Sequence, residues 1–194
     1  MARNILVIDG HPDPNGERYC HALAQAYVEG ARAGGHTANL ITLAECDVAF
    51  LRSQGEWREA EPGPDIRKAQ EAIGAADHLV IVYPLWLGSM PALVKAFFEQ
   101  AFRPGFAVTR GEMSLNPGLL GGRSARVVVT MGMPALVYRW FFFAHSLKSL
   151  ERNILKFAGL GPIRETLIGG VESIGDGKRK AWLETLRRFG REGR

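Results

Sequence analysis

The sequence predicts an α/β protein: a five-stranded parallel sheet with helices on both faces. Three observations predict it. Short runs such as residues 5–8 and 79–83 are apolar without interruption, as strands buried on both faces require. Segments with apolar residues at three- and four-residue spacing separate those runs, so strand and helix alternate. Loops rich in Gly and Pro follow the first, third and fourth runs, at 10–16, 84–90 and 131–136, and right-handed crossovers bring all three to one edge of the sheet.

The elements follow in order. Residues 4–9 read as the first strand, and 17–33 as a helix stopped by Gly34 and Gly35. Residues 37–42 form the second strand. The stretch 43–64 has no clear period and reads as a long connection holding one short helix; such loops are often functional. A helix over 65–75 leads to the third strand, 78–83. Pro91, favoured in a first turn, opens a helix whose Leu93, Val94, Phe97, Phe98, Ala101 and Phe102 make one apolar face. The fourth strand is 125–130, then a helical stretch over 137–158, a strand over 164–168, and a last helix over 178–189 that buries Trp182, Leu183, Leu186 and Phe189. The 194 residues form one domain with a sizeable core.

Composition excludes several classes. A hydrophobic fraction of 46% and a charged fraction of 23% rule out global disorder. The net charge of +4 arises mainly after Lys178, where seven Lys/Arg face two Glu. With no interleaved aromatics, that segment reads as a solvated helix face rather than a nucleic-acid surface. Cys20 and Cys46 form neither a CxxC nor a metal-ligand cluster, so no disulfide framework or zinc site is expected, which fits a reducing cytoplasm. The chain enters its first strand with no signal peptide, and Pro84, Gly88, Ser89 and Pro91 interrupt its longest uncharged apolar run, which is not a membrane span.

Chemistry is expected where the three loops meet, because ligands of open parallel sheets bind at the carboxyl ends of the strands. The first loop ends at a helix N-terminus, which attracts anions through free N–H groups and the helix dipole. It holds no GxGxxG and no Walker lysine, which argues against a dinucleotide Rossmann site or a P-loop NTPase. By spacing alone it could equally be an ordinary connection stiffened by prolines. The second loop, with Trp86 and Leu87 beside Gly88, suits a flat aromatic ligand, although those side chains could simply cover the sheet edge. His21, His36 and His78 occupy positions where a single polar residue is common, and Cys20 reads as a small residue at a helix start.

The segment from Pro84 to Ala92 and the Phe-rich helix after it resemble the signature of flavodoxin-like NAD(P)H:quinone oxidoreductases. His11-Pro12, Trp57-Arg58 and Thr130-Met131-Gly132 extend the resemblance over nearly the whole chain. It implies a flavodoxin-like three-layer sandwich with strand order 2-1-3-4-5. It also implies that His11 and the triplet Arg18, Tyr19, Cys20 contact the flavin phosphate. Arg18 replaces a small hydroxyl there: its guanidinium could grip a phosphate or stay solvated, and Glu17 sets a carboxylate near the same helix end. Pro84, Leu85, Trp86, Leu87 and Gly88 match residues that hold the isoalloxazine ring. Thr130, Met131, Gly132 and Met133 match the loop at its N1/O2 edge. Tyr138, and less closely His145, match a Tyr and a His that balance charge during hydride transfer. The aromatic run 140–143 could equally be core or dimer interface.

The resemblance implies a ping-pong enzyme that takes hydride from NADPH or NADH through a flavin, FAD in preference to FMN, to a planar quinone-like acceptor. It implies a cytoplasmic homodimer with no nucleic-acid partner and no membrane insertion. The alternatives are a flavin-containing regulatory module such as a transporter's ancillary subunit, a flavodoxin-type electron carrier, and a fold of this kind that has lost its flavin.

Overall fold

The computed structural model describes residues 1–110 and 118–194. Three apolar runs form the centre of a parallel sheet: β1 (Asn4–Asp9), β3 (His78–Pro84) and β4 (Ser124–Thr130). Every β3 side chain is buried. The more polar β2 (Thr37–Thr42) and β5 (Ile163–Ile168) take the edges, giving the order β2-β1-β3-β4-β5. The order reverses between β1 and β3, and the register pairs Asp9 with Val82, Pro84 with Thr130, and Thr130 with Ile168. The carboxyl ends of these strands therefore share one rim, beside the point where a crevice opens.

Two layers of helix cover the sheet. On one face α1 (Tyr19–Ala33) and α7 (Asp176–Arg191) bury Leu23, Tyr27 and Leu186 against Ile5, Val7, Val80 and Val82. Trp182, Leu183 and Phe189 pack there partly buried. The two backbones touch through glycine: a Cβ on Gly30 would lie 1.9 Å from the Arg187 carbonyl oxygen, and one on Gly190 would lie 2.2 Å from that of Tyr27. On the other face lie α2 (Gln54–Glu59), α3 (Pro64–Ala75), α4 (Ala92–Ala101), α5 (Ala135–Trp140) and α6 (His145–Ser149), the last running into a π-helical turn over Leu150–Lys156. Ile66, Ile73, Phe97, Phe98, Leu147 and Leu155 join Leu6, Ile8 and Ile81 in that core.

The long connection is ordered by local chemistry. Ser53 caps α2 by accepting the Glu56 N–H at 3.1 Å, while the Glu56 carboxylate accepts the Arg52 N–H at 2.8 Å. Gln100 and Arg103 of the α4 region donate to the carbonyls of Ala49 and Glu56, at 2.8 and 2.7 Å, which ties the connection down.

Two boundaries differ from expectation in ways that bear on function. Helix α1 starts at Tyr19, so Glu17 stands outside its first turn, which holds no acidic residue. The continuous helix expected over 137–158 is broken at Phe143 and Ala144, whose φ of 53° and 49° are left-handed. The Tyr138 side chain sinks beneath this break, where its hydroxyl accepts the Leu147 N–H at 3.2 Å, and the Ala144 N–H closes on the Tyr138 carbonyl at 3.0 Å. Interactions at sequence separations of six and nine defeat a helical period, and the aromatic run has modest helix propensity. Trp140, Phe141, Phe142 and Phe143 are exposed, which overturns a core role for them within this chain.

Candidate functional site

The loop between β1 and α1 is built by side chains that satisfy its own backbone. The N–H groups of His11, Asp13, Asn15 and Glu17 go to Asp9 Oδ1, His11 Nδ1, Asp13 Oδ1 and Asn15 Oδ1, at 2.9–3.1 Å. Alternate donors are thereby consumed, as in successive Asx turns. The N–H groups of Gly16, Tyr19 and Cys20 receive no acceptor among the described residues, and Arg18 caps α1 without a side-chain bond. A helix end with three free donors and no carboxylate in its first turn attracts one anion.

Charge around that helix end is ordered. The Arg18 guanidinium is held by Asp13 Oδ2 at 2.8 Å from Nε. The Asn15 N–H and then Arg18 keep the Asp13 carboxyl below its ordinary range. His21 lies between two oxygens, with Nδ1 at 2.5 Å from Asp9 Oδ2 and Nε2 at 2.9 Å from the Asp13 carbonyl oxygen. Partial burial opposes charge on His21, but the Asp9 hydrogen bond and charge outweigh it and raise the pKa. His11, 5.3 Å away between ring centroids, is lowered by burial and then by His21. Cys20 is buried, its thiol pushed up to about 12 by desolvation, with Sγ 3.2 Å from Thr130 Oγ1.

The β3–α4 loop joins the same rim. The Leu85 N–H donates to the Thr130 carbonyl at 2.7 Å. Trp86 and Ser89 exchange backbone bonds at 2.8 and 2.9 Å around a tight turn, with Leu87 at φ 46° and Gly88 at φ 76°. Two consecutive left-handed residues mark a type I′ turn, which favours Asn-Gly over Leu-Gly. Leu87 projects fully into solvent at 108% relative exposure, and the Leu87 and Gly88 N–H groups are unbonded among the described residues. The Trp86 ring meets His11 edge-on at 5.9 Å, closing the first loop against the second.

The third loop follows β4. Met131 is buried and bonds Ile168 and Val171 through its backbone. The N–H groups of Gly132 and Met133 are unbonded among the described residues. A Cβ on Gly132 would stand 3.1 Å from Glu172 Oε1, so that corner accepts little more than backbone.

The structure thus brings His11, Arg18, Tyr19, Cys20, Pro84, Leu85, Trp86, Leu87, Gly88, Thr130, Met131, Gly132 and Met133 to one rim. Tyr138 and His145 stand differently. The Tyr138 hydroxyl lies 2.7 Å from Ser146 Oγ and also takes the Leu147 N–H, bonds internal to the α5–α6 segment. His145 is exposed, its ring 5.8 Å from that of Phe143.

Two residues escaped sequence reasoning. His21 lies in the site, and a polar residue on the first turn after a Gly/Pro loop was the signal for it. Arg179, expected on a solvated helix face, is partly buried: its carbonyl accepts the Tyr19 hydroxyl at 3.0 Å, its Nη2 donates to the Val171 carbonyl at 3.1 Å, and its buried Nε has no partner among the described residues. Nothing in the periodicity of α7 marked it.

A cavity of about 780 Å³ opens at the opposite rim, against Arg3, His78, Ser124 and Arg164. The free donors, the exposed indole and the strand ends lie away from it, so size alone is a poor guide here. Among the described residues, no group of His, Cys, Asp or Glu could hold a metal ion, and no helix is long and apolar enough to cross a membrane.

Comparison with known proteins places this geometry in context. Residues 3–190 match the family model Flavodoxin_2, described as a flavodoxin-like fold. An uncharacterized NAD(P)H oxidoreductase of Haemophilus influenzae is 27% identical over 93% of this chain and 91% of its own length. The FMN-dependent NADH:quinone oxidoreductase of Mycoplasma pneumoniae is 25% identical over 92% and 91%. The solved NAD(P)H:quinone oxidoreductase of Methanothermobacter marburgensis superposes with a TM-score of 0.80 at 22% identity, over 99% of this chain and 97% of its own.

Proposed function

The chain belongs to the Flavodoxin_2 family, of flavodoxin-like fold, and on that premise we propose that it is a flavin-dependent oxidoreductase, passing hydride from NADH or NADPH to a planar quinone-like acceptor by a ping-pong cycle. The observation that carries the proposal is the convergence of three loops on one rim, held by the Leu85–Thr130 bond, the Cys20–Thr130 contact and the His11–Trp86 contact. That rim offers unbonded N–H groups on all three loops, together with the exposed Trp86 indole.

The residues fit a flavin with one phosphate. The free N–H groups of Gly16, Tyr19 and Cys20 would hold the phosphate, and those of Leu87, Gly88, Gly132 and Met133 would face ring heteroatoms. The earlier leaning to FAD gives way to FMN. The helix end presents a single set of free donors, and the relative from Mycoplasma pneumoniae, matched over nearly its whole length, is named FMN-dependent. A flavin held there would supply the two-electron redox chemistry that links nicotinamide and acceptor. The protein orients the reactants: Trp86 and Leu87 form one wall, and backbone dipoles at Gly132 and Met133 stabilise negative charge. Tyr138 acts by fixing the α5–α6 segment, on which His145 stands exposed beside Phe143. The exposed Trp140, Phe141, Phe142 and Phe143 support a homodimer that covers them. The interaction-module alternative draws no support from a site with these features of a ligand cleft.

The test is a visible spectrum of the protein reconstituted with FMN, followed by anaerobic NADH or NADPH. Retained flavin whose absorbance near about 450 nm bleaches within a turnover, and recovers on adding a quinone, supports the reading. Failure to retain any flavin overturns it.

A further inference from the structure

We propose that His21 is held as an imidazolium between Asp9 and Asp13, and that in this state it shields the buried Asp9 carboxylate from the flavin phosphate, so that His21 is a positioning residue that sets selectivity for phosphorylated flavin. The proposal rests on the flavin reading above. Both ring nitrogens of His21 face oxygens, one of a carboxylate at 2.5 Å and one of a backbone carbonyl at 2.9 Å. A carbonyl oxygen can only accept, and so can an ionised carboxylate. Only a ring protonated on both nitrogens satisfies both contacts. The neighbouring His11 accepts the Asp13 N–H on Nδ1, so it carries its proton on Nε2 and is the neutral member of the pair.

Among the described residues Asp9 has two side-chain partners, the His11 N–H and His21, and it is 2% exposed. It ends β1 directly below the loop whose free N–H groups form the anion position. With His21 protonated the dyad is neutral. Without that proton, a buried negative charge lies unscreened beside the same position, and a phosphate dianion is repelled. The charged and titratable groups acting on His21 are Asp9 of β1 and Asp13 and His11 of the loop, with Arg18 acting on Asp13 and His11, and the buried Cys20 thiol lying near Asp9 and Thr130. Arg18 and Asp13 are paired with each other at the surface. Cys20 stays protonated through the accessible range. Asp9 and His21 are therefore the pair whose balance the proton decides.

The experiment compares FMN with riboflavin, which has the same ring and no phosphate, by fluorescence titration of the apoprotein between about pH 7.5 and about pH 9.5, where the phosphate is already a dianion. In the wild type the ratio of FMN to riboflavin affinity falls roughly tenfold as the pH rises through the titration of His21, as a charge of one unit lost near the phosphate requires. His21→Gln shows the lowered ratio at every pH, and Asp9→Asn/His21→Gln restores it. Imidazole ¹⁵N shifts of the apoprotein report two protonated nitrogens on His21 at about pH 7. A neutral His21 in those spectra, or equal losses of FMN and riboflavin affinity in His21→Gln with no recovery in the double variant, overturns the inference. Absence of binding by both flavins in the wild type instead overturns the flavin reading beneath it.

Discussion

Burial decides which reactive side chains near the rim stay out of the chemistry. Cys20 sits at a helix start, a location that ordinarily activates a thiol, yet desolvation dominates and its pKa is pushed up to about 12. Cys46 is only half-buried, its Sγ bonded to the Thr42 carbonyl at 3.4 Å. A disulfide reagent at about pH 8 is therefore expected to titrate Cys46 first, with Cys20 reacting on the order of a thousandfold more slowly than an unhindered thiol until the protein is denatured. Rapid reaction of both in the native state would contradict this. The same scale explains what the sequence concealed. His21 shares its type with His36 and His78, and only its two oxygen neighbours distinguish it. Those neighbours are Asp9, twelve residues upstream, and the carbonyl of Asp13, which carries no side-chain signature.

Elements whose character is set by burial on both faces were legible from residue order: β1, β3 and β4 fall within one residue of the expected runs, because a strand between two helix layers is mostly apolar, and a buried exception such as Arg126 is satisfied by Thr166 Oγ1 and the Arg194 carbonyl. Where tertiary bonds override local preference, the reading failed, as at Phe143 and Ala144, where the sunken Tyr138 ends one helix and starts another. The Trp86–Ser89 turn shows the same override at the rim. Leucine at φ 46° is strained, and a fully exposed leucine gains nothing from burial. Leu87→Asn is expected to stabilise the protein by about 0.5–1 kcal/mol in chemical denaturation, by relieving that conformation. It should also weaken binding of FMN or raise KM for the acceptor. Stabilisation with unchanged binding and kinetics would show that Leu87 contributes nothing to the cleft.

The whole molecule presents an apolar surface beyond the core. Leu136, Trp140, Phe141, Phe142 and Phe143 crowd its exterior near the third loop, and single exposed apolar residues would not cluster so. A homodimer through this surface predicts that Phe141→Glu gives a monomer by light scattering, with the far-ultraviolet dichroism of the wild type and reduced turnover. A wild type already monomeric at micromolar concentration removes the dimer. The glycine seam between α1 and α7 reaches further, into how the chain acquires its shape. Helix α1 follows the first strand, yet part of its apolar cover is the helix that ends at Arg191. During synthesis, Leu23 and Tyr27 are made well before α7 and lack its cover until that helix has left the ribosome. The contact that completes this face joins residues as far apart as Glu29 and Arg187, 158 positions, so its loop-closure entropy comes late and slows the final step. A ribosome stalled before α7 would hold a sheet with one face covered by α1 alone, which is the species a chaperone would meet.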